Sequence, residues 1–435
     1  MRITQLRFRA FKSLYDVACD LDQFTVLTGP NSAGKSNLVD AINFLSETFA
    51  HGLEIAAARA GGFDNIIYRR NGDSDKAIRF DIEIGFTGED VAYLEELRGT
   101  GKTHLSPKDN YWLNLSFAME RSGSNDSPGD FRIIHERLVF RDGQKTFLRM
   151  SRGPEGIVHF RRSREIHGPR SRYGRALWPL SEDGFIDFIK SRPAKPTALS
   201  LAQLQLGGLL TEIVQSYGRS RVFQLSPHQC RQTGVPTPNA YLDRYGTNLP
   251  SVADYMRRNR QESWQQVESA MRSVVPQLKS IETSYTDDRR LALHFYEEGL
   301  ERPWNSSEVS DGTIQILALF VALFDERTSF LAVEEPENAL HPWILRQFVD
   351  LCREQSKQIL LTTHSPVLVD YVLPESLRLV WQRAGRSFLA RVTDLSPEFI
   401  VLWKAGDLRT FEAYDSGLID EYIPERFLPI ADHAG

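Results

Sequence analysis

The sequence predicts an α/β nucleotide-binding core interrupted by a large mixed α+β insertion that forms a second lobe. Three observations carry this expectation. A glycine-containing octapeptide, GPNSAGKS at Gly29–Ser36, lies between an apolar strand-like run and an amphipathic helical one. Far downstream, Ser329–Glu337 (SFLAVEEPE) and Leu360–Pro366 (LLTTHSP) read as apolar strands ending on carboxylates and on a histidine. Strand and helix patterns alternate at both ends of the chain, as layered α/β domains require.

Each element follows from its periodicity. Ile3–Phe8 and Gln23–Thr28 read as strands, and Asn37–Phe49 carries Leu38, Ala41, Ile42, Leu45 and Phe49 on one helical face. Ile78–Phe86 and Tyr111–Phe117 alternate as half-buried strands, and Phe131–Phe140 pairs with Thr146–Met150 across a turn at Asp142–Gly143. From about residue 181 to 280 the pattern becomes helical, with Leu201–Tyr217 and Ser251–Ile281 as the main stretches and Pro276 as an interruption or boundary. No sustained heptad array marks a long coiled coil. Arg290–Phe295 returns to strand. Helix Thr313–Phe324, strand Ser329–Val333, helix Pro342–Gln355, strand Gln358–Thr362 and helix Pro366–Tyr371 complete the series. The expected organisation is residues 1–90 and 301–372 as the two parts of the core, 91–300 as the insertion, and 373–435 as a small extension.

Composition excludes several other classes. With 41% hydrophobic and 25% charged residues in 435, the chain is ordinary for a globular protein and long enough for a catalytic domain plus a subdomain. No run approaches the ~18 apolar residues of a membrane helix, and the first residues lack the apolar stretch of a signal peptide. A cytoplasmic protein with no membrane partner is expected. Cys19, Cys230 and Cys352 are too scattered for a disulfide framework or a metal knuckle. The net charge of −5 gives no general attraction to nucleic acid. Between Arg149 and Arg175, however, eight arginines face only Glu155 and Glu165. A solvated hairpin accounts for that run, and so does a contact surface for phosphate.

The site residues form an ordered trio. Gly29, Pro30, Asn31, Ser32, Ala33, Gly34, Lys35 and Ser36, continuing into Asn37, match a P-loop in its required strand–helix setting. Backbone N–H groups there face phosphate, Lys35 bridges the β- and γ-phosphates, and Ser36 puts its hydroxyl on Mg²⁺. ATP and Mg²⁺ are therefore the expected ligands. Adjacent acids at a buried strand end are costly without a charge-based role, which assigns Glu334 to Mg²⁺ and Glu335 to the attacking water. His364 is placed to sense the γ-phosphate and hold that water.

Three segments carry a family resemblance: FKSLYDVACDLDQFTVLTGPNSAGKSNLVDAI, VSDGTIQILAL, and FLAVEEPENALHPWILRQF with LLTTHSP after it. They resemble the P-loop ABC-type ATPase heads of the RecF, SMC and Rad50 proteins, and more narrowly the AAA-type ATPases of the overcoming-lysogenization-defect group. The resemblance implies that VSDGT is a signature segment whose Ser310, Asp311 and Gly312 complete the ATP site of a second copy. Asp311 replaces the glycine of the usual transporter signature, so it is expected to face away from phosphate or to meet the opposite P-loop. Asn338–His341 corresponds to a loop that crosses the dimer interface, where His341 is either a contact or a helix start. Lys12 and Ser13 either line the nucleotide or serve as ordinary turn residues, and neither Gln203 nor Gln224 is an assured lobe-coupling glutamine.

Taken over whole, the resemblance implies an ATP-hydrolysing switch or clamp, working as a homodimer or larger homo-oligomer. Some relatives carry a fused TOPRIM nuclease, whose Asp-x-Asp pair is absent after His364, so no nuclease activity is expected. A separately encoded effector in bacterial antiphage defence is the expected output. A clamp on duplex DNA in repair or chromosome maintenance, and an ATP-dependent scaffold or sensor with negligible turnover, are the alternatives.

Overall fold

Alternation of apolar and polar residues builds the first of two compact units in the computed structural model, which describes residues 1–69, 77–90, 109–122, 131–143, 145–162, 195–200, 216–394, 397–406 and 409. That unit comprises Met1–Asp22, Asn31–Arg219 and Val380–Ala390. Its sheet contains β1 (Arg2–Phe11), β2 (Leu14–Asp20), β4 (Ala77–Thr87), β5 (Asn110–Arg121), β6 (Phe131–Asp142), β7 (Lys145–Arg152) and β8 (Val158–Arg162), in the order β2-β1-β4-β5-β6-β7-β8. All neighbours are antiparallel. Along β4 every second residue is buried, so Phe80 meets Phe8 and Phe117 on one face, with ring centroids 5.8 and 4.9 Å away. Phe44 of α1 (Lys35–His51) stacks on the same Phe80 at 5.3 Å. This aromatic cluster fixes the helix against the sheet.

Strand β2 is absent from the sequence-based series. Phe11 pairs with Leu14 across a two-residue turn in which Lys12 takes a left-handed φ of 49°, a position where asparagine or glycine is the usual signal. Strand pairing between β4 and β5 also runs across residue 90, so the unit continues through that expected boundary. Most of Leu201–Tyr217, with Gln203, lies outside the described residues, as does all of the arginine run beyond Arg162.

An ion pair is sealed in this unit. Glu136 and Arg152 have side chains 1% exposed and lie 3.7 Å apart. Arg152 donates to the carbonyls of Ala198 and Lys195, and Glu136 accepts from the Ser200 amide. Glu136→Ala is expected to cost about 3–5 kcal/mol by stranding a buried guanidinium, read as a lowered urea midpoint. Pairing it with Arg152→Met should recover much of the loss.

The second unit comprises Gln23–Pro30, Ser220–Leu379 and Arg391–Gly435. Here β3 (Phe24–Thr28), β13 (Phe330–Glu334) and β14 (Gln358–Thr363) are buried at every residue, as central parallel strands are. β9 (Arg221–Phe223) flanks β13, and β15 (Leu377–Arg383) flanks β3 through Leu377–Leu379. The parallel order is β15-β3-β14-β13-β9. Beyond Leu379 the chain continues to β16 (Arg386–Arg391), most of which belongs to the first unit.

Helices α2 (Leu249–Asn259) and α3 (Gln261–Val274) precede a small sheet of β10 (Leu278–Tyr285), β11 (Leu291–Glu297) and β12 (Trp304–Asn305). The single helical stretch expected at Ser251–Ile281 is therefore two helices followed by a strand. Pro276 explains the second break, because the residue before proline avoids helical geometry, and Val275 sits at φ −128°, ψ 82°. Helix α4 (Asp311–Phe324) is buried from Ile314 to Phe324, so its apolar circumference is core. The amphipathic α5 (Pro342–Glu354) buries Leu345, Phe348, Val349 and Cys352, and α6 (Pro366–Tyr371) follows β14. No described helix is long and apolar enough to cross a membrane.

Lys357, just before β14, donates to the Asp325 carbonyl at 2.6 Å. Burial pushes its ammonium down to about 8, against the attraction of Asp325. An unfolded lysine titrates at about 10.4, so between these values the unfolded chain holds more protons and stability rises with pH. Below about 8 both states are charged and the burial cost is constant. Denaturant melts at about pH 7.5 and 9.5 should show the wild type gaining about 1–2 kcal/mol relative to Lys357→Met.

Candidate nucleotide site

Parallel register brings the functional ends of three strands to one edge of the second unit. Leu27 pairs with Thr362, which pairs with Glu334, and Thr28 pairs with Thr363. The onset of the P-loop at Gly29–Pro30, the acids after β13 and His364 after β14 consequently leave the sheet on the same carboxyl side. In parallel α/β sheets ligands bind outside that edge.

From Pro30 the loop passes into the first unit and becomes α1 at Lys35. Ser32 adopts φ 65° and Gly34 φ 110°. A Cβ on Gly34 would come within 2.2 Å of Ser387 Oγ and 3.0 Å of Ser13 Oγ, so glycine is required by both conformation and space. Gly34 supplies no side-chain cap, and the first turn of α1 holds no acid. Its amino end thus carries partial positive charge directed toward an anion. Lys35 is buried, whereas Asn31, Ser32 and Ser36 are exposed.

Neighbouring side chains brace this loop. Asn37 donates from Nδ2 to Ser13 Oγ at 2.7 Å, Ser13 Oγ meets Ser387 Oγ at 2.8 Å, and the Ser387 amide donates to the Ser13 carbonyl. Lys12 is paired with Asp40 at 2.6 Å. Lys12 and Ser13 are therefore engaged within the unit. Ser387 comes from β16, and nothing in the local sequence around it points to this role.

In the second unit Glu334 is the last residue of β13 and only 5% exposed. Arg244 places Nη2 2.7 Å from its Oε1, supplying the countercharge a buried carboxylate needs. Glu335 takes a left-handed φ of 48°, a strained state for a glutamate that functional sites retain. Its amide donates to the Thr362 carbonyl at 2.9 Å, and Asn338 donates to its Oε2 at 3.2 Å. Its Oε1 lies 3.8 Å from Nε2 of His364. A carboxylate and an imidazole so spaced can share one water molecule.

The signature residues lie at the start of α4. Ser310 caps it by accepting from the Thr313 amide at 3.1 Å. Asp311 is ion-paired with Arg231, and Arg231 also donates to the Val309 and Ser306 carbonyls. A Cβ on Gly312 would sit 2.9 Å from the Ala339 carbonyl. The signature thus packs directly on the Asn338–His341 loop of its own chain. His341 caps α5 through a bond from the Trp343 amide at 3.4 Å, the helix-start role. Gln224 lies just past β9, where its amide donates to the Arg244 carbonyl. Among the described residues, no group of three or more His, Cys, Asp and Glu side chains forms a further metal site.

A family model described as "AAA domain, putative AbiEii toxin, Type IV TA system" matches residues 24–370. The chromosome partition protein Smc of Bordetella petrii is 28% identical over 162 residues, covering 36% of this chain and 12% of that protein. The DNA replication and repair protein RecF of Rhizobium meliloti is 28% identical over 223 residues, covering 49% of this chain and 55% of that protein. The chain thus spans only part of the length of these relatives. Among solved structures, an SMC head bound to the C-winged helix domain of ScpA is 17% identical, with TM-score 0.45 over 90% of this chain and 97% of its own. An SMC head derived from Pyrococcus furiosus is 13% identical, with TM-score 0.46 over 93% and 99%.

Proposed function

This chain belongs to the AAA-domain family whose model covers residues 24–370, as a RecF- and SMC-like ABC ATPase head, and from that premise we propose that it binds and hydrolyses Mg·ATP as a self-pairing switch. The observation that carries this reading is the shared edge where β3, β13 and β14 deliver Gly29, Glu334–Glu335 and His364. The loop Gly29–Gly34, Lys35 and the head of α1 suit a triphosphate. Ser36 and Glu334 supply oxygen ligands of the kind Mg²⁺ takes, and the bound ion would neutralise developing charge on the phosphoryl oxygens.

The chain's own residues have separate tasks. Glu335 orients a water and takes its proton as that oxygen bonds to the γ-phosphorus and the bridging bond to ADP breaks. His364, beside Glu335, holds the water in line. Ser310 and Gly312 of one copy contact the γ-phosphate held by another. The Asp311–Arg231 pair supports this, because it neutralises the one acid in the signature. Loss of the γ-phosphate then loosens the pair.

The output is a separately encoded effector, with bacterial antiphage defence as the setting. The resemblance to the overcoming-lysogenization-defect group and the toxin–antitoxin wording of the family description support this. Purified protein should release phosphate from ATP only with Mg²⁺, and specific activity should rise with protein concentration as copies pair. Concentration-independent turnover by a monomer would overturn the composite site, and failure to bind ATP would overturn the whole reading.

A second reading, a DNA clamp, is favoured by one surface. Arg149 and Arg161 face each other across β7 and β8, an arrangement of like charges that repels unless an anion covers it. Arg149 and Arg137 line a groove of about 400 Å³ whose other arginines, Arg79 and Arg141, are paired there with Asp81 and Glu83. The names of the Smc and RecF relatives point the same way. DNA-stimulated turnover with a steep salt dependence, lessened by Arg149→Ala, would favour it.

A further inference from the structure

Glu337, two residues beyond Glu335, has no task in the chemistry above, yet it is tied to the histidine loop. Its Oε1 accepts from Thr363 Oγ1 at 2.7 Å, from the His364 amide at 2.8 Å and from the Ser365 amide at 3.1 Å. Three donors converging on one oxygen suit an ionised carboxylate better than a neutral acceptor. Two of them are the backbone N–H groups of His364 itself and of the residue after it. The next residue, Pro366, has no N–H, and Ser365 makes no side-chain cap to α6. Inside the turn the Ser365 amide also donates to Thr363 Oγ1 at 2.9 Å, and that hydroxyl in turn donates to Glu337, so the turn carrying the imidazole is tied through Glu337 to the loop that also carries Glu335. Among the described residues Glu337 Oε2 has no hydrogen-bond partner, so all of the carboxylate's described bonds go to the histidine turn.

We propose that Glu337 is a positioning residue that locks His364 in register with Glu335, so that its removal lowers turnover through His364 and leaves nucleotide affinity intact. This rests on the hydrolytic reading above. Glu335 and Glu337 share one short loop, so the loop that binds the histidine turn also carries the carboxylate 3.8 Å from His364. Misplacement of a water-holding group by about 1 Å can cost about 10²-fold in rate.

The test combines Glu337→Ala and Glu337→Gln, each alone and with His364→Ala, read by steady-state phosphate release and by amide exchange of the nucleotide-free protein. Glu337→Ala should lower kcat about 30- to 100-fold with KM within about twofold. Glu337→Gln keeps an acceptor oxygen and should stay within about fivefold of wild type. In the His364→Ala background both losses should shrink to less than about twofold, since residues acting as one unit are not additive. Amide exchange at His364 and Ser365 should accelerate in Glu337→Ala while that of Ile359–Leu361 does not.

Equal losses in both backgrounds, a raised KM with unchanged kcat, or unaltered exchange would overturn the proposal. If Glu337→Ala does not fold, Glu337→Gln decides alone: its smaller loss must vanish with His364→Ala. Wild-type activity no greater than that of Glu335→Gln would instead bring down the hydrolytic reading, and the positioning role with it. An active wild type without this epistasis brings down only the positioning role.

Discussion

Lys35→Ala is expected to reduce ATP turnover by about 10³-fold, the loss of two or more charge-assisted hydrogen bonds worth about 1.5–3 kcal/mol each. Lys35 is the first residue of α1 and 6% exposed, following a glycine whose conformation and crowding leave no room for another residue. Its ammonium adds the only formal charge to a loop that otherwise offers N–H groups. A fluorescent ATP analogue should bind far more weakly to the variant in an equilibrium titration. An affinity within about twofold of wild type would remove Lys35 from the phosphate site.

Glu335→Gln is expected to lower turnover by about 10²–10⁴-fold while preserving ATP affinity, because the amide keeps the shape but cannot take a proton. Its left-handed backbone and the bond from Asn338 to Oε2 accommodate an isosteric side chain with the amide oxygen facing Asn338. ATP that binds without being cleaved should accumulate the paired state. Light scattering with and without Mg·ATP then reads the mechanism directly. Doubling of the monomer mass, or growth of one closed assembly into a larger one, is the expected result. A mass that remains monomeric would sink ATP-driven self-pairing, and a dimer present in both conditions would move the switch to closure within a standing dimer.

The sequence by itself determined the elements that are set locally. β13 and β14 read as short apolar runs with acids or a histidine at their ends, and α6 occupies Pro366–Tyr371 as its proline start predicts. The P-loop is legible because one octapeptide encodes turn, lysine and helix start together. β2 was hidden by a turn without its usual residues, and β9 has only three residues. Tertiary structure alone decided which distant side chains serve the site. Arg244 neutralises Glu334 from 90 positions away, and Ser387 meets Ser13 across 374. The fan of bonds on Glu337 exists because β13 and β14 lie side by side and in register. Periodicity records whether a residue faces the core, a property of its own backbone. The partner of a buried charge depends on strand order and register, which arise only when separated segments pack.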